Sequence, residues 1–149
     1  MSHAFVSNLM HCTFSTKERN PLIDSELEAR LWPYVGGIAN ENRMKALAIG
    51  GTADHLHALL SLPGMMSFAK AVQLIKGGSS KWIHDTFARH EKFGWQEGYG
   101  AFSVSVSQAP KTIAYINNQK EHHWRKTFQE EFIELLERHG IAYDSRYVF

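Results

Sequence analysis

Between Gly50 and Leu62 the chain reads GGTADHLHALLSL, and from Asp54 onward its residues alternate in kind. Side chains alternate across a strand, so Leu56, Ala58, Leu60 and Leu62 share one face. His55, His57, Leu59 and Ser61 share the other. The first face is wholly apolar and calls for a helix layer packed on it. The second turns two imidazoles away from that core. A fold for this chain must therefore bury one face of a sheet and give the other to something that meets histidines.

The rest of the pattern supplies such a fold. AFVSNLMHCTFSTKERNPLI opens with a strand over about Phe5 to Thr16, with Met10, Cys12 and Phe14 on one face and His11, Thr13 and Ser15 on the other. Asp24 or Ser25 caps a first helix through about Asn42, carrying Leu27, Leu31, Tyr34, Val35 and Ile38 at helical spacing. MKALAIGG is a second strand, joined through Gly-Thr-Ala to the histidine strand in a hairpin. Ser67 caps a second helix that continues into SSKWIHDTF, although Gly77 and Gly78 weaken it by roughly 1 kcal/mol each relative to Ala. The loop KFGWQEGYG leads to a fourth strand, AFSVSVS. SQAPKTIAYINNQKEHHWRK then reads as a third helix, with Pro110 in its first turn, and TFQEEFIELLERHG as a fourth, stopped by Gly140.

The order β-α-β-β-α-β defines an α+β, ferredoxin-like fold. Its four-stranded antiparallel sheet carries the first two helices on one face and leaves the other to the third helix. No repeat or linker divides residues 1–149, so one domain is expected.

On the third helix Tyr115, Asn118, Gln119 and His122 fall within a stripe about 100° wide. A phenol, two amides and an imidazole are unusual on a docking face. His55 and His57 lie roughly 6.5–7 Å apart along the backbone, and two imidazoles at that spacing can converge on one ion. The pair also has a purely structural reading, as does Asp54, which either orients a ring or caps the hairpin.

His55-Leu56-His57 resembles the His-hydrophobic-His signature of HUH endonucleases, and Tyr115 through His123 resembles the tyrosine helix of their single-tyrosine transposases. FSTKERNPLI, FGWQEGYGAFSVS and HGIAYDSRY are similar too. These transposases include the small IS-two-hundred-type insertion-sequence enzymes and the REP-associated tyrosine transposases. The resemblance implies metal-dependent cleavage and rejoining of single-stranded or hairpin DNA through a 5′-phosphotyrosine. It makes Tyr115 the nucleophile, and His55, His57 and Gln119 the ligands of a divalent ion, Mg²⁺ or Mn²⁺. Asp54, Asn118 and His122 stand next to that set. A metal-dependent phosphohydrolase with Tyr115 structural, and a domesticated nickase of REP repeats, are the alternatives.

With 16 Lys and Arg against 15 Asp and Glu, the chain has no basic body to hold DNA, so local clusters must do it. Lys17, Arg19, Lys76, Lys81, Arg125 and Lys126 are the candidates for phosphates, and Trp82, Trp95 and Tyr99 for stacking on bases. A fourth strand at the sheet edge, together with the resemblance, implies a homodimer. One cysteine, no apolar run long enough to span a bilayer and no signal pattern suit a cytoplasmic, nucleoid-associated bacterial protein.

Overall fold

The computed structural model describes residues 4–123 and 125–148, the side chains at 122 and 123 excepted. The sheet is built from β1 (Leu9–Ser15), β2 (Lys45–Thr52), β3 (His55–Ser61) and β4 (Gly100–Val104). Its order is β2-β3-β1-β4 and every neighbouring pair is antiparallel. Helices α1 (Ser25–Glu41) and α2 (Phe68–Thr86) link the strands. After β4 come α3 (Ala109–Asn117), α4 (Gln119–His123) and α5 (Phe128–Arg138). The expected ferredoxin-like arrangement is present.

Alternation decides which face is which. Met10, Cys12 and Phe14 of β1 meet Leu56, Ala58 and Leu60 of β3, all 0% exposed, and pack against Leu27, Leu31 and Val35 of α1 and Val72 and Ile75 of α2. Each such side chain contributes about 1.5–3 kcal/mol on burial. Side-chain caps start the helices where the sequence puts them. Asp24 accepts from the Leu27 amide at 2.8 Å, Ser67 from Lys70 at 3.0 Å and Thr127 from Glu130 at 3.2 Å. The glycine pair of α2 has a packing reason: a Cβ on Gly78 would stand 2.9 Å from Ile38 Cδ1, so α1 and α2 cross there.

Four sequence expectations are corrected. β1 starts at Leu9, because pairing with β3 begins there; Phe5 is 96% exposed. β4 stops at Val104, and the residues after it turn into a 3-10 segment, Val106–Gln108. Tyr34 is not core but a partly exposed ring stacked on Trp82, with centroids 4.2 Å apart. The third helix is broken at Asn118 (φ −105°, ψ 24°), whose amide closes α3 on the carbonyls of Ala114 and Tyr115.

The second face of the sheet is shared by two covers. Ile116 of α3 packs on Ala48 and Leu59. Gly50 permits this, because a Cβ there would lie 2.5 Å from the Ile116 carbonyl oxygen. On the β4 side, Phe128, Phe132, Leu135 and Leu136 of α5 pack around Phe102. The two histidines of β3 lie in the seam between these covers.

A candidate metal centre beside a tyrosine

Both histidines are buried, His55 at 2% and His57 at 0% exposure, so each ring nitrogen needs a partner. Register supplies them. Thr52 pairs with His55 across the β2–β3 hairpin, and its hydroxyl lies 3.0 Å from His55 Nδ1 and donates to Asp54 Oδ1 at 3.0 Å. His55 Nδ1 donates to Asp54 Oδ1 at 2.7 Å, so Asp54 orients the ring. His55 Nε2 donates to Gln119 Oε1 at 2.8 Å. On β1, Thr13 pairs with His57 and donates to the Leu56 carbonyl at 2.9 Å. His57 Nδ1 shares a hydrogen bond with His11 Nε2 at 2.8 Å.

His57 Nε2 donates to Glu131 Oε1 at 2.6 Å, and the same oxygen lies 3.6 Å from His55 Nε2. Glu131, on α5, is thus a candidate site residue that the sequence analysis did not name. Its signal was present: it sits within the apolar stripe of Phe128, Phe132 and Leu135, where a carboxylate has no business unless something pairs it. Tyr115, on the last turn of α3, directs its hydroxyl to the Glu131 carboxylate as a donor, and its ring stands edge-on to His57 with centroids 5.5 Å apart.

Electrostatics follow from the contacts. Burial opposes a charged His55, but the Asp54 and Gln119 hydrogen bonds and the Glu131 charge outweigh it and raise its pKa. Burial likewise opposes Glu131 ionisation, yet the His57 hydrogen bond and charge hold it at about 2. Burial, and then the Glu131 charge, push the Tyr115 phenol above its ordinary range. Burial and the neighbouring His57 keep His11 well below the usual imidazole range, hence neutral.

His55, His57 and Glu131 offer ligand atoms that all lie within 4.8 Å of one another. Two imidazole nitrogens and a carboxylate oxygen suit a divalent cation of the Mn²⁺ type, and the amide oxygen of Gln119 stands beside them. Of the residues named from sequence, His55, His57, Gln119, Tyr115 and Asp54 come together. Asn118 does not: it is exposed, because the break after α3 turns it outward. The His122 side chain lies outside the described residues.

The basic candidates are mostly engaged elsewhere. Lys76 donates to the carbonyls of Gln96, Glu97 and Gly98 and ties down the loop before β4; burial lowers its pKa to about 8. Lys81 pairs with Asp85 at 2.6 Å and Lys126 with Glu134 at 2.6 Å. Arg19 meets the amide of Gln129 when that amide's oxygen faces it. Lys17 and Arg125 are exposed. Trp82 and Trp95 pack at the margin of the main core and present no free stacking face comparable to Tyr99, which is 40% exposed.

The site is thus a buried His-x-His pair on a ferredoxin-like sheet, with a carboxylate and a phenol beside it. Residues 5–119 match the model of the IS200-like transposases. The chain belongs to that family, whose activity is DNA strand transfer. The transposases of insertion sequence IS200 from Salmonella typhimurium and Salmonella typhi are each 27% identical over 117 residues, covering 74% of this chain and 76% of theirs. Among solved structures, a candidate transposase from Deinococcus radiodurans R1 superposes with a TM-score of 0.63 at 22% identity, over 80% of this chain and 96% of that one. A REP-associated tyrosine transposase bound to a REP hairpin gives 0.59 at 14% identity, over 83% and 73%. The fold expectation and the family resemblance are both borne out.

Proposed function

We propose that this protein cleaves and rejoins single-stranded DNA through Tyr115, with His55, His57 and an oxygen of Glu131 or Gln119 holding a divalent ion, Mn²⁺ or Mg²⁺. The carrying observation is the convergence of the Tyr115 hydroxyl and both imidazole Nε2 atoms on one carboxylate, Glu131. A bound divalent ion would draw charge from a phosphate oxygen and offset the Glu131 charge that now opposes Tyr115 ionisation. The chain supplies the rest. Asp54 and His11 fix the two ring orientations. The α3 helix holds the phenol against the ion site, and the neighbouring Gln119 hydrogen bond favours the phenolate.

The Tyr115 phenol gives up its proton to solvent as its oxygen bonds to phosphorus, the bond from phosphorus to the 3′-oxygen breaks, and that oxygen takes a proton from solvent as a free hydroxyl. The 5′-phosphotyrosine conserves the phosphodiester linkage, so a 3′-hydroxyl can attack it and rejoin a strand. The hairpin held by the REP-associated relative supports hairpin DNA as the form recognised here. The position of β4 at the edge of the sheet supports a homodimer, which sedimentation at micromolar concentration would show as twice the chain mass.

The test is labelled single-stranded and hairpin DNA incubated with Mn²⁺ and run on a denaturing gel. Wild-type protein yields a shortened 3′-hydroxyl product and a protein-linked band, and Tyr115→Phe yields neither. Cleavage by Tyr115→Phe without a protein-linked band would make the site a phosphohydrolase and overturn the reading.

A further inference from the structure

A cleft of about 580 Å³ opens on the other side of Tyr115, between β4, the first turn of α3 and the end of α5. His11 and Tyr115 form its inner wall, which makes it continuous with the candidate site. Its charge separates it from two other clefts among the described residues. One of about 420 Å³ is lined by Glu28, Lys120 and Glu121, and one of about 450 Å³ by Asp24, Glu28 and Lys120. Both carry more carboxylates than cations and would repel a polyanion. The cleft beside Tyr115 contains Lys111 and Arg138 and no carboxylate.

Both cations are exposed, and among the described residues neither has an ion pair or a hydrogen bond. Lys111 stands one helical turn before Tyr115, so the two side chains share a face of α3. Gln108, the N-cap of α3, also lines the cleft and makes no side-chain cap bond. Ser103 adds a hydroxyl donor to the lining, whereas the Thr112 hydroxyl already donates to the Gln108 carbonyl at 3.0 Å. The Arg138 charge already reaches the Tyr115 phenol and favours its ionised form.

We propose that this cleft holds a backbone phosphate of the single strand as it passes Tyr115, with Lys111 and Arg138 as its cationic partners. The inference rests on the single-strand reading of the site. It gives a chain of nearly neutral charge a local basic cluster where a phosphodiester has to be positioned.

Anisotropy of a fluorescein-labelled, mixed-sequence single strand of about 20 nucleotides, titrated in chelator so that nothing is cleaved, tests it. Lys111→Ala and Arg138→Ala are each expected to weaken binding several-fold. Each should also flatten the slope of log affinity against log salt by about 0.7, the value for neutralising one phosphate fewer on a single strand. Lys70→Ala, on the opposite helix layer, serves as the control and should leave both unchanged. Wild-type affinity and slope in both cleft variants would overturn the inference alone. Failure of the wild-type protein to bind any single strand would overturn the reading of the site, and the inference with it.

Discussion

His55 faces an acceptor at each ring nitrogen, Asp54 Oδ1 and Gln119 Oε1, and this arrangement suits the imidazolium. Its raised pKa has a consequence for the metal-free protein. A histidine whose folded pKa lies above 6.5 contributes stability that is complete below 6.5 and is lost as pH rises through the folded value. Glu131 is the opposite case, lowered from 4.5 to about 2, so its contribution is present above 4.5 and lost as pH falls toward 2. In chelator, the melting temperature should therefore be highest between these two ranges. Glu131→Gln should remove part of the acid limb and also shrink the alkaline one, because the Glu131 charge helps to raise the His55 pKa. Identical acid limbs in the two proteins would show that Glu131 is not paired as described.

At the scale of the element, the site depends on how closely α3 lies on β2. Gly50→Ala would place a methyl group against the Ile116 carbonyl and push α3 outward, carrying Tyr115 from His57. The sheet itself is held from the other face, so this variant should fold, with circular dichroism unchanged and DNA adduct formation lost. A fully active Gly50→Ala would mean that the position of α3 does not govern the chemistry. The strands and helix starts were legible because alternation and the caps at Asp24, Ser67 and Thr127 are local signals. The break at Asn118 was not, because INNQKEHH contains neither glycine nor proline to mark it. Periodicity placed His55 and His57 on one sheet face and Tyr115 and Gln119 in one helix stripe with Asn118 and His122, and the family resemblance picked the four site residues out of these. Glu131 showed only as a carboxylate inside the apolar stripe of α5; that α5 meets the site is set by the tertiary packing of Phe128, Phe132, Leu135 and Leu136 on Phe102.

For the whole molecule, an ion bound by the folded site alone should stabilise the chain by mass action. At a hundredfold excess over its dissociation constant the gain is about 2.7 kcal/mol. For a chain of this size that raises the melting temperature by roughly 5–10 °C. Mn²⁺ should produce this shift in wild-type protein and not in His57→Ala, and it should grow with pH because the Nε2 protons must leave. An equal shift in His57→Ala would place the ion elsewhere. The central claim is that Tyr115 takes the DNA covalently. Trypsin leaves Tyr115 as the only tyrosine of the peptide from Thr112 to Lys120. Mass spectrometry of the digested, nuclease-trimmed adduct should find the added nucleotide on that peptide. An added nucleotide on the peptide of Tyr143 or Tyr147, with Thr112–Lys120 unmodified, would contradict the account.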